Sequence, residues 1–416
     1  MRIKYDDDLL RPQLAGERFS VVYRISGTET AALAVAQDIC IEQTIEFPEE
    51  CVPDGAIRDF IFGRIEKMEK YRESRKENEE PENFKNITAQ CLKDSSESNA
   101  AESYLVEISY ALEICAAEFT QLLNVVFGNI SIKPGIRVEK ILLSPSLLGL
   151  FRGPRFGRAG LRQILQVPQR PLLFSALKPM GLSARELARL AYQFALGGID
   201  IIKDDHGLSD QKFAPFAERV KLCSEAVHRA NQKTGRKTIY VPNVTAPARF
   251  FLSRAQLAKE YGAGGLLIAP GLVGFDNMKE LAEDDSIALP IFSHPAFQGS
   301  YVLGDAGISH YALYGQLMRM AGADAVIYPN FGGRFSFNQA ECRQIGEGTA
   351  AEMGHLKPIF PTPGGGISFK SIPALAEFYG SEVIFLMGGG LFTSGEDLVE
   401  NCRHFRELVE KTFSAE

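Results

Sequence analysis

Four consecutive ionisable side chains, Lys203, Asp204, Asp205 and His206, are the densest chemistry in this 416-residue chain. They follow directly on Gly197-Gly198-Ile199-Asp200-Ile201-Ile202, where Ile199, Ile201 and Ile202 read as a short buried strand. Ending an apolar strand in four such groups is costly unless they pair with one another or hold a metal ion. Two readings are open: a salt-bridged cluster at a strand end, or a site where chemistry is done.

The elements that must position this cluster are read from the rest of the chain. At 416 residues the length predicts two domains. A hydrophobic content of 45% is that of an ordinary globular core. The net charge of −7 argues against a nucleic-acid partner, and no basic run suggests a membrane surface. No apolar run reaches transmembrane length, and the start, Met1 to Asp8, lacks the apolar core of a signal peptide. Seven scattered cysteines without a CxxC pair suggest neither a zinc site nor a disulfide framework, so the cytoplasm is the expected compartment.

From Phe19 to Val126 the pattern is that of an α+β unit. Phe19–Ile25 and Tyr104–Tyr110 alternate like strands, as does Ile39–Phe47, while Glu29–Asp38 and Phe119–Phe127 read as helices. Glu66 to Ser98 is highly charged and is expected to be a surface insertion. From Arg170 the texture becomes a regular alternation. Strands are expected at Pro171–Leu177, Ile199–Ile202, Thr238–Val244, Gly265–Ala269, Leu289–Ser293, Ala325–Tyr328, Pro358–Pro361 and Val383–Met387, each followed by a helical pattern. Eight strands alternating with eight helices predict a (β/α)8, or TIM, barrel. Its mouth would gather the residues at the strand C-termini: Lys178, Lys203 to His206, Asn243, Thr245, His294, Asn330 and the triplets Gly364-Gly365-Gly366 and Gly388-Gly389-Gly390. The two triplets follow the seventh and eighth strands, where backbone amides freed of side chains form the usual phosphate cradle of this fold. The alternative for each is a tight turn.

These residues resemble the large subunit of ribulose-bisphosphate carboxylase (RuBisCO), and more closely its RuBisCO-like, form IV, relatives. Phe151-Arg152-Gly153-Pro154, Arg170-Pro171-Leu172-Leu173, Lys178-Pro179, Gly181-Leu182-Ser183, the stretch from Gly197 to Asp205, Gly364 to Ile367, Pro373-Ala374-Leu375 and Gly388 to Gly390 carry the likeness. The resemblance implies an N-terminal α+β, ferredoxin-like domain over 1–150 and a catalytic barrel over 151–416. It also implies a homodimer or dimer-based oligomer with active sites between subunits, acting on a small phosphorylated substrate. By the same resemblance, Lys203 is an N6-carboxylysine formed with CO2, and the carbamate, Asp205 and the next residue bind Mg2+. That next residue is His206 where the family has an acid, a departure that weakens a hard-cation site and favours Mn2+. Whether His206 is a ligand or only a hydrogen-bonding neighbour is open.

Lys178 and His294 match family residues at the first and fifth strand ends, Lys178 as a proton-transfer group. Glu42 resembles the glutamate that reaches into the partner's site, and Arg334 takes the place of a mobile-loop lysine. Other positions depart: Met180, Pro295, Gln298 and Ile327 stand where RuBisCO has a lysine, an arginine and two histidines. The losses remove contacts to a second phosphate and oppose CO2 fixation on ribulose bisphosphate. What is left is machinery for an enolate on a singly phosphorylated keto substrate. The reading favoured is a decarboxylase of a phosphorylated 3-oxo sugar acid, since Arg334 can pair with a substrate carboxylate or, alternatively, with Glu42. The alternatives are a 2,3-diketo-5-methylthiopentyl-1-phosphate enolase, a 5-methylthioribulose-1-phosphate isomerase, and a non-catalytic binder of a phosphorylated metabolite. A Schiff-base role for Lys203 is disfavoured, because two adjacent aspartates hold it charged.

Overall fold

The computed structural model of the protein describes residues 2–72, 102–333, 335 and 337–413. The chain gathers into two compact units. One contains the chain through Leu150 together with Ser300–Ala312, and the other contains Phe151–Gly299 and the chain from Leu313 onward.

The first unit is built on a five-stranded sheet of β1 (Arg18–Ser26), β2 (Arg64–Lys70), β3 (Ser103–Ala111), β4 (Ile136–Leu142) and the two-residue β10 (Gly307–Ile308). Their spatial order is β10-β4-β1-β3-β2. Along β1, Phe19, Val21, Tyr23 and Ile25 are buried while the residues between them are not, the period-two signature of a sheet with one covered face. The Tyr23 hydroxyl donates to Val126 O at 2.7 Å and so ties the strand to helix Phe119–Phe127. The expected insertion is in part regular structure, because Glu66 to Lys70 lie in β2. Its residues 73–98 lie outside the described residues.

The strand expected at Ile39–Phe47 is absent. Helix Glu29–Glu42 runs through it, N-capped by Thr28, and buries Ala32, Ala36, Ile39 and Cys40 on one face. Only Ile39 lies on that face; Ile41, two residues on, points away from it, so the alternation of the isoleucines is not the pattern that the helix buries. A tight turn ends it: the amides of Thr44, Ile45 and Glu46 all donate to Ile41 O. The buried Gln43 side chain then donates to Asn124 O and Val125 O at 2.7 and 2.8 Å.

The second unit holds the eight parallel strands: β5 (Leu172–Leu177), β6 (Ile201–Asp204), β7 (Ile239–Val241), β8 (Leu266–Ile268), β9 (Ile291–Ser293), β11 (Ala325–Pro329), β12 (Phe360–Gly364) and β13 (Ile384–Leu386). The order β7-β6-β5-β13-β12-β11-β9-β8 leaves β7 and β8 at the two ends. The Leu267 amide donates to Pro242 O and the Val244 amide to Leu267 O, both at 2.9 Å, and these bonds join the two ends into the expected barrel. Phe174, Ile201, Val241, Leu267, Phe292 and Phe360 fill its interior, with helix Gly157–Leu165 contributing Leu161 and Leu165 to the same cluster. Every residue of β5 and β6 is buried, Ser175, Lys203 and Asp204 included, which is why their sequences are mostly apolar rather than alternating.

One boundary bears directly on the site. The second barrel strand runs from Ile201 to Asp204, two residues beyond its expected end, so Lys203 and Asp204 belong to the ladder opposite Ala176 and Leu177.

Candidate active site

Strand alternation sends Lys203 and Asp204 to opposite faces of β6, and the two have different fates. Asp204 is fully buried. It accepts from Arg219 Nε at 3.1 Å, from the Tyr240 hydroxyl at 2.6 Å and from the Asn243 amide at 3.0 Å. Arg219 comes from helix Phe216–Thr234 and is itself fully buried. Asp204 is therefore the anchor of a structural network that fastens the helix and the start of the loop after β7.

Lys203 is 2% exposed, and its Nζ donates to Asp204 O at 3.0 Å. Burial pulls the amine down to about 8, with Lys178 acting in the same direction and Asp205 and Asp204 opposing. Asp205 Oδ1 lies 3.2 Å from Lys178 Nζ, at the end of β5, and 3.4 Å from His206 Nδ1. Burial pushes the Asp205 carboxyl up, but the His206 hydrogen bond and the charges of Lys203 and Lys178 outweigh it and hold it below the usual carboxylate range. The His206 ring stacks on His294, with centroids 4.5 Å apart and planes 17° apart. His294 comes directly after β9. Its Nδ1 accepts from the Ala296 amide at 3.2 Å, which leaves the proton of the neutral ring on Nε2. Burial first, then Lys203 and His206, push its imidazolium well below the ordinary range, so the ring is neutral at pH 7.

The barrel thus brings Lys178, Lys203, Asp205, His206 and His294 together at one mouth. Asn243 and Thr245 serve the frame instead: Asn243 Nδ2 donates to His206 O and Leu208 O, both at 2.9 Å, and Thr245 Oγ1 accepts from the Ala269 amide. Asn330 accepts from the Tyr379 hydroxyl at 2.9 Å. Phe331 packs on Phe378 and Tyr379, with centroids 4.8 and 6.2 Å away. Phe297 is 67% exposed and sits at φ 68°, a conformation uncommon for an aromatic residue. Met180 lies against Gly207. Gln298 is buried, with its Nε2 3.9 Å from the Met318 sulfur, and Ile327 belongs to the barrel core. Arg334 lies outside the described residues. Glu42 is the last residue of its helix rather than part of a strand, and its carboxylate accepts from Asn129 Nδ2 at 3.1 Å, as Glu46 does at 3.0 Å.

The glycine turns come after two adjacent strands, with Gly364 opposite Leu386. Gly365 and Gly366 take φ values of 87° and 73°, which other residues rarely adopt. A Cβ on Gly366 would stand 2.8 Å from Gly333 Cα, so the loops after β11 and β12 pack backbone to backbone there. Around Gly365, Gly388 and Gly389 the space is open. No turn or loop hydrogen bond among the described residues uses the amides of Gly365, Gly366, Gly388 or Gly389. The amides of such turns are the donors a phosphate takes.

Among the described residues, no three His, Cys, Asp or Glu side chains cluster to hold a metal ion. The anticipated metal position has two such side chains, Asp205 and His206, beside two lysines. Arg219 and Tyr240, which keep Asp204 out of the site, were not foreseen, since only tertiary pairing connects them to it.

A closed parallel barrel with a lysine and an aspartate at its second strand and glycine turns after its seventh and eighth defines a barrel protein with its site at the strand C-termini. The family model "Ribulose bisphosphate carboxylase large chain, catalytic domain" matches residues 157–397. The 5-methylthioribulose-1-phosphate isomerase of Rhodospirillum rubrum is 33% identical over 94% of this chain and 95% of its own. The 2,3-diketo-5-methylthiopentyl-1-phosphate enolase of Geobacillus thermodenitrificans is 32% identical over 74% of this chain and 75% of its own. The crystal structure of a RuBisCO-like protein from Rhodopseudomonas palustris superposes with a TM-score of 0.79 at 33% identity, covering 95% of this chain and 98% of that one. The chain belongs to the RuBisCO large-chain family, among its RuBisCO-like members.

Proposed function

We propose that this RuBisCO-like enzyme does not fix CO2 and instead forms an enolate from a singly phosphorylated keto substrate. The observation that carries the reading is His294, a partly buried, neutral imidazole stacked on His206 with Nδ1 engaged by the Ala296 amide. Such a ring offers its Nε2 proton to an oxygen that gains charge, the task of a donor at a developing enolate. Lys178 is the candidate for proton transfer at carbon, and the glycine turns are candidates for the phosphate.

The fit of a divalent cation depends on the state of Lys203. With Lys203 as a free amine, the position faces two lysines and a single carboxylate, Asp205, which is no set for a hard cation. A carbamate on Nζ replaces that amine by an anionic oxygen donor, and carbamate, Asp205 and His206 then fit Mg2+ or Mn2+. A buried amine drawn down to about 8 is a better nucleophile toward CO2 than an ordinary lysine. When bound, the ion would polarise the substrate carbonyl as a Lewis acid.

Within this chemistry the finer reading has two branches. Decarboxylation of a phosphorylated 3-oxo sugar acid rests on Arg334 as a carboxylate partner. Isomerisation or enolisation of a methylthio-substituted sugar phosphate is supported by the names of two relatives. His294 serves both, because both pass through an enolate. A non-catalytic binder of a phosphorylated metabolite is a second reading, favoured by the ion pair that engages Lys178. By resemblance to the family, we also propose a dimer in which Glu42 serves the partner's site. The test is turnover of the three substrates side by side with ribulose bisphosphate and labelled CO2. One of the three is expected to react with no label entering phosphoglycerate; label in phosphoglycerate overturns the proposal.

A further inference from the structure

The end of the barrel opposite the mouth carries a polar cavity. Arg170, Asp200 and Thr238 immediately precede or adjoin the starts of β5, β6 and β7, and with Arg236, Lys237 and Arg406 they line a space of about 160 Å³. Part of this lining is an internal clamp. Arg170 grips Asp200 through two bonds of 2.7 and 2.9 Å, and Asp200 in turn accepts from the Leu173 amide at 2.8 Å. Glu410 bridges Arg406 Nε at 2.7 Å and Arg170 Nε at 3.5 Å.

With both carboxylates engaged in this way, Arg236 and Lys237 have no acidic partner within 4.0 Å among the described residues. The Arg236 guanidinium is nevertheless drawn inward, its Nη1 donating to Leu196 O at 3.1 Å. Gly198, at φ 91°, makes room for it, since a Cβ there would meet Arg406 Cδ at 2.9 Å and Arg236 Nη1 at 3.0 Å. The fold therefore brings guanidinium groups of like charge together around a cavity, in excess over the two carboxylates, Asp200 and Glu410, that face them. Burial, then Arg406, make the charged form of Arg236 harder to keep, with Glu410 and Asp200 opposing.

We propose that this cavity is an anion site for inorganic phosphate, or an oxyanion of the same size and charge, held by Arg236, Lys237 and Arg406. A cavity of 160 Å³ takes one phosphate-sized group and little more, whereas whole-ligand pockets are roughly 300–1,000 Å³. Guanidinium groups suit a tetrahedral oxyanion because their forked donors match its edges. Asp200 directly precedes β6, so an anion here braces the strand that carries the active-site lysine.

The probe is inorganic phosphate, titrated against the whole protein at constant ionic strength with chloride as the balancing anion, and read by thermal shift and calorimetry. Saturable stabilisation is expected in the wild type, because a ligand that binds only the folded state raises its stability by mass action. R236Q/K237Q is expected to weaken this binding at least tenfold, yet to melt no lower than the wild type without phosphate, since it relieves repulsion. Gly389→Asp, which places a carboxylate in the open turn at the barrel mouth, is expected to leave the tight phase intact. If R236Q/K237Q fails to fold, K237Q alone, at an exposed position, is expected to weaken binding severalfold. Equal phosphate affinity in the wild type and in the folded Arg236 and Lys237 variants overturns the site. So does stabilisation no greater than chloride gives, or a tight phase lost in Gly389→Asp.

Discussion

His206 and His294 stack face to face, centroids 4.5 Å apart, with His294 partly buried and His206 half exposed. The pair joins the anticipated metal position to the anticipated proton donor. Replacing His294 by Asn keeps a side-chain acceptor for the Ala296 amide but removes the imidazole N–H. His294→Asn is expected to slow deuterium exchange at the carbon beside the substrate carbonyl by roughly 10² to 10⁴, the range for a positioned proton-transfer group. NMR or mass-spectrometric assay of exchange in D2O checks it, and wild-type exchange in the variant would assign the role to Lys178.

Neighbouring aspartates should fail in opposite ways. Asp204 is buried against Arg219 and Tyr240, so Asp204→Ala strands a buried guanidinium and is expected to cost about 3–5 kcal/mol. Asp205 meets Lys178 and His206 at the mouth, so Asp205→Ala is expected to stay folded and lose turnover. Denaturant melts of the two variants, run beside activity, separate these outcomes. Equal melting losses would remove the distinction between frame and site.

Acid should unfold the first unit through His310. Burial, then Arg137, draw this imidazole from 6.5 to about 3. A depressed base favours the fold while it is neutral. Its contribution is complete above the unfolded value near 6.5 and is lost as pH falls from there toward about 3. His310→Gln, neutral throughout, is expected to flatten the fall in stability over that window by a few kcal/mol at most, to order of magnitude. Urea midpoints between pH 7 and pH 4 measure it, and parallel curves for variant and wild type would contradict it.

Much of the barrel was legible because its strands are covered on both faces and so appear as short, mostly apolar runs, as in Leu172–Leu177 and Ile384–Leu386. The mouth was legible for the same reason, since the residues just past each buried strand end line the opening. Three things were not. Lys203 and Asp204 read as lying beyond their strand, because the partners that let charged groups enter the ladder, Arg219 and Tyr240, are 15 and 36 residues further on. Ile39 and Ile41 mimicked a strand because their alternation is incidental: the helix buries Ala32, Ala36, Ile39 and Cys40 and leaves Ile41 off that face. The segment Ser300–Ala312 joins the first unit through β10, a two-residue parallel pairing with Arg137 and Val138 that leaves no local pattern.

Enolate formation at a Lys203-centred site is tested most directly by one assay. Protein stripped with EDTA and freed of CO2 is incubated in D2O with each candidate monophosphate, then again with bicarbonate and Mg2+ or Mn2+. Exchange beside the carbonyl, or loss of CO2 from the oxo acid, is expected only when bicarbonate and metal are both present. Mn2+ is expected to act better than Mg2+, His206→Glu to reverse that preference, and Lys203→Ala to be inert. Full activity in EDTA without CO2, or an active Lys203→Ala, would contradict the account.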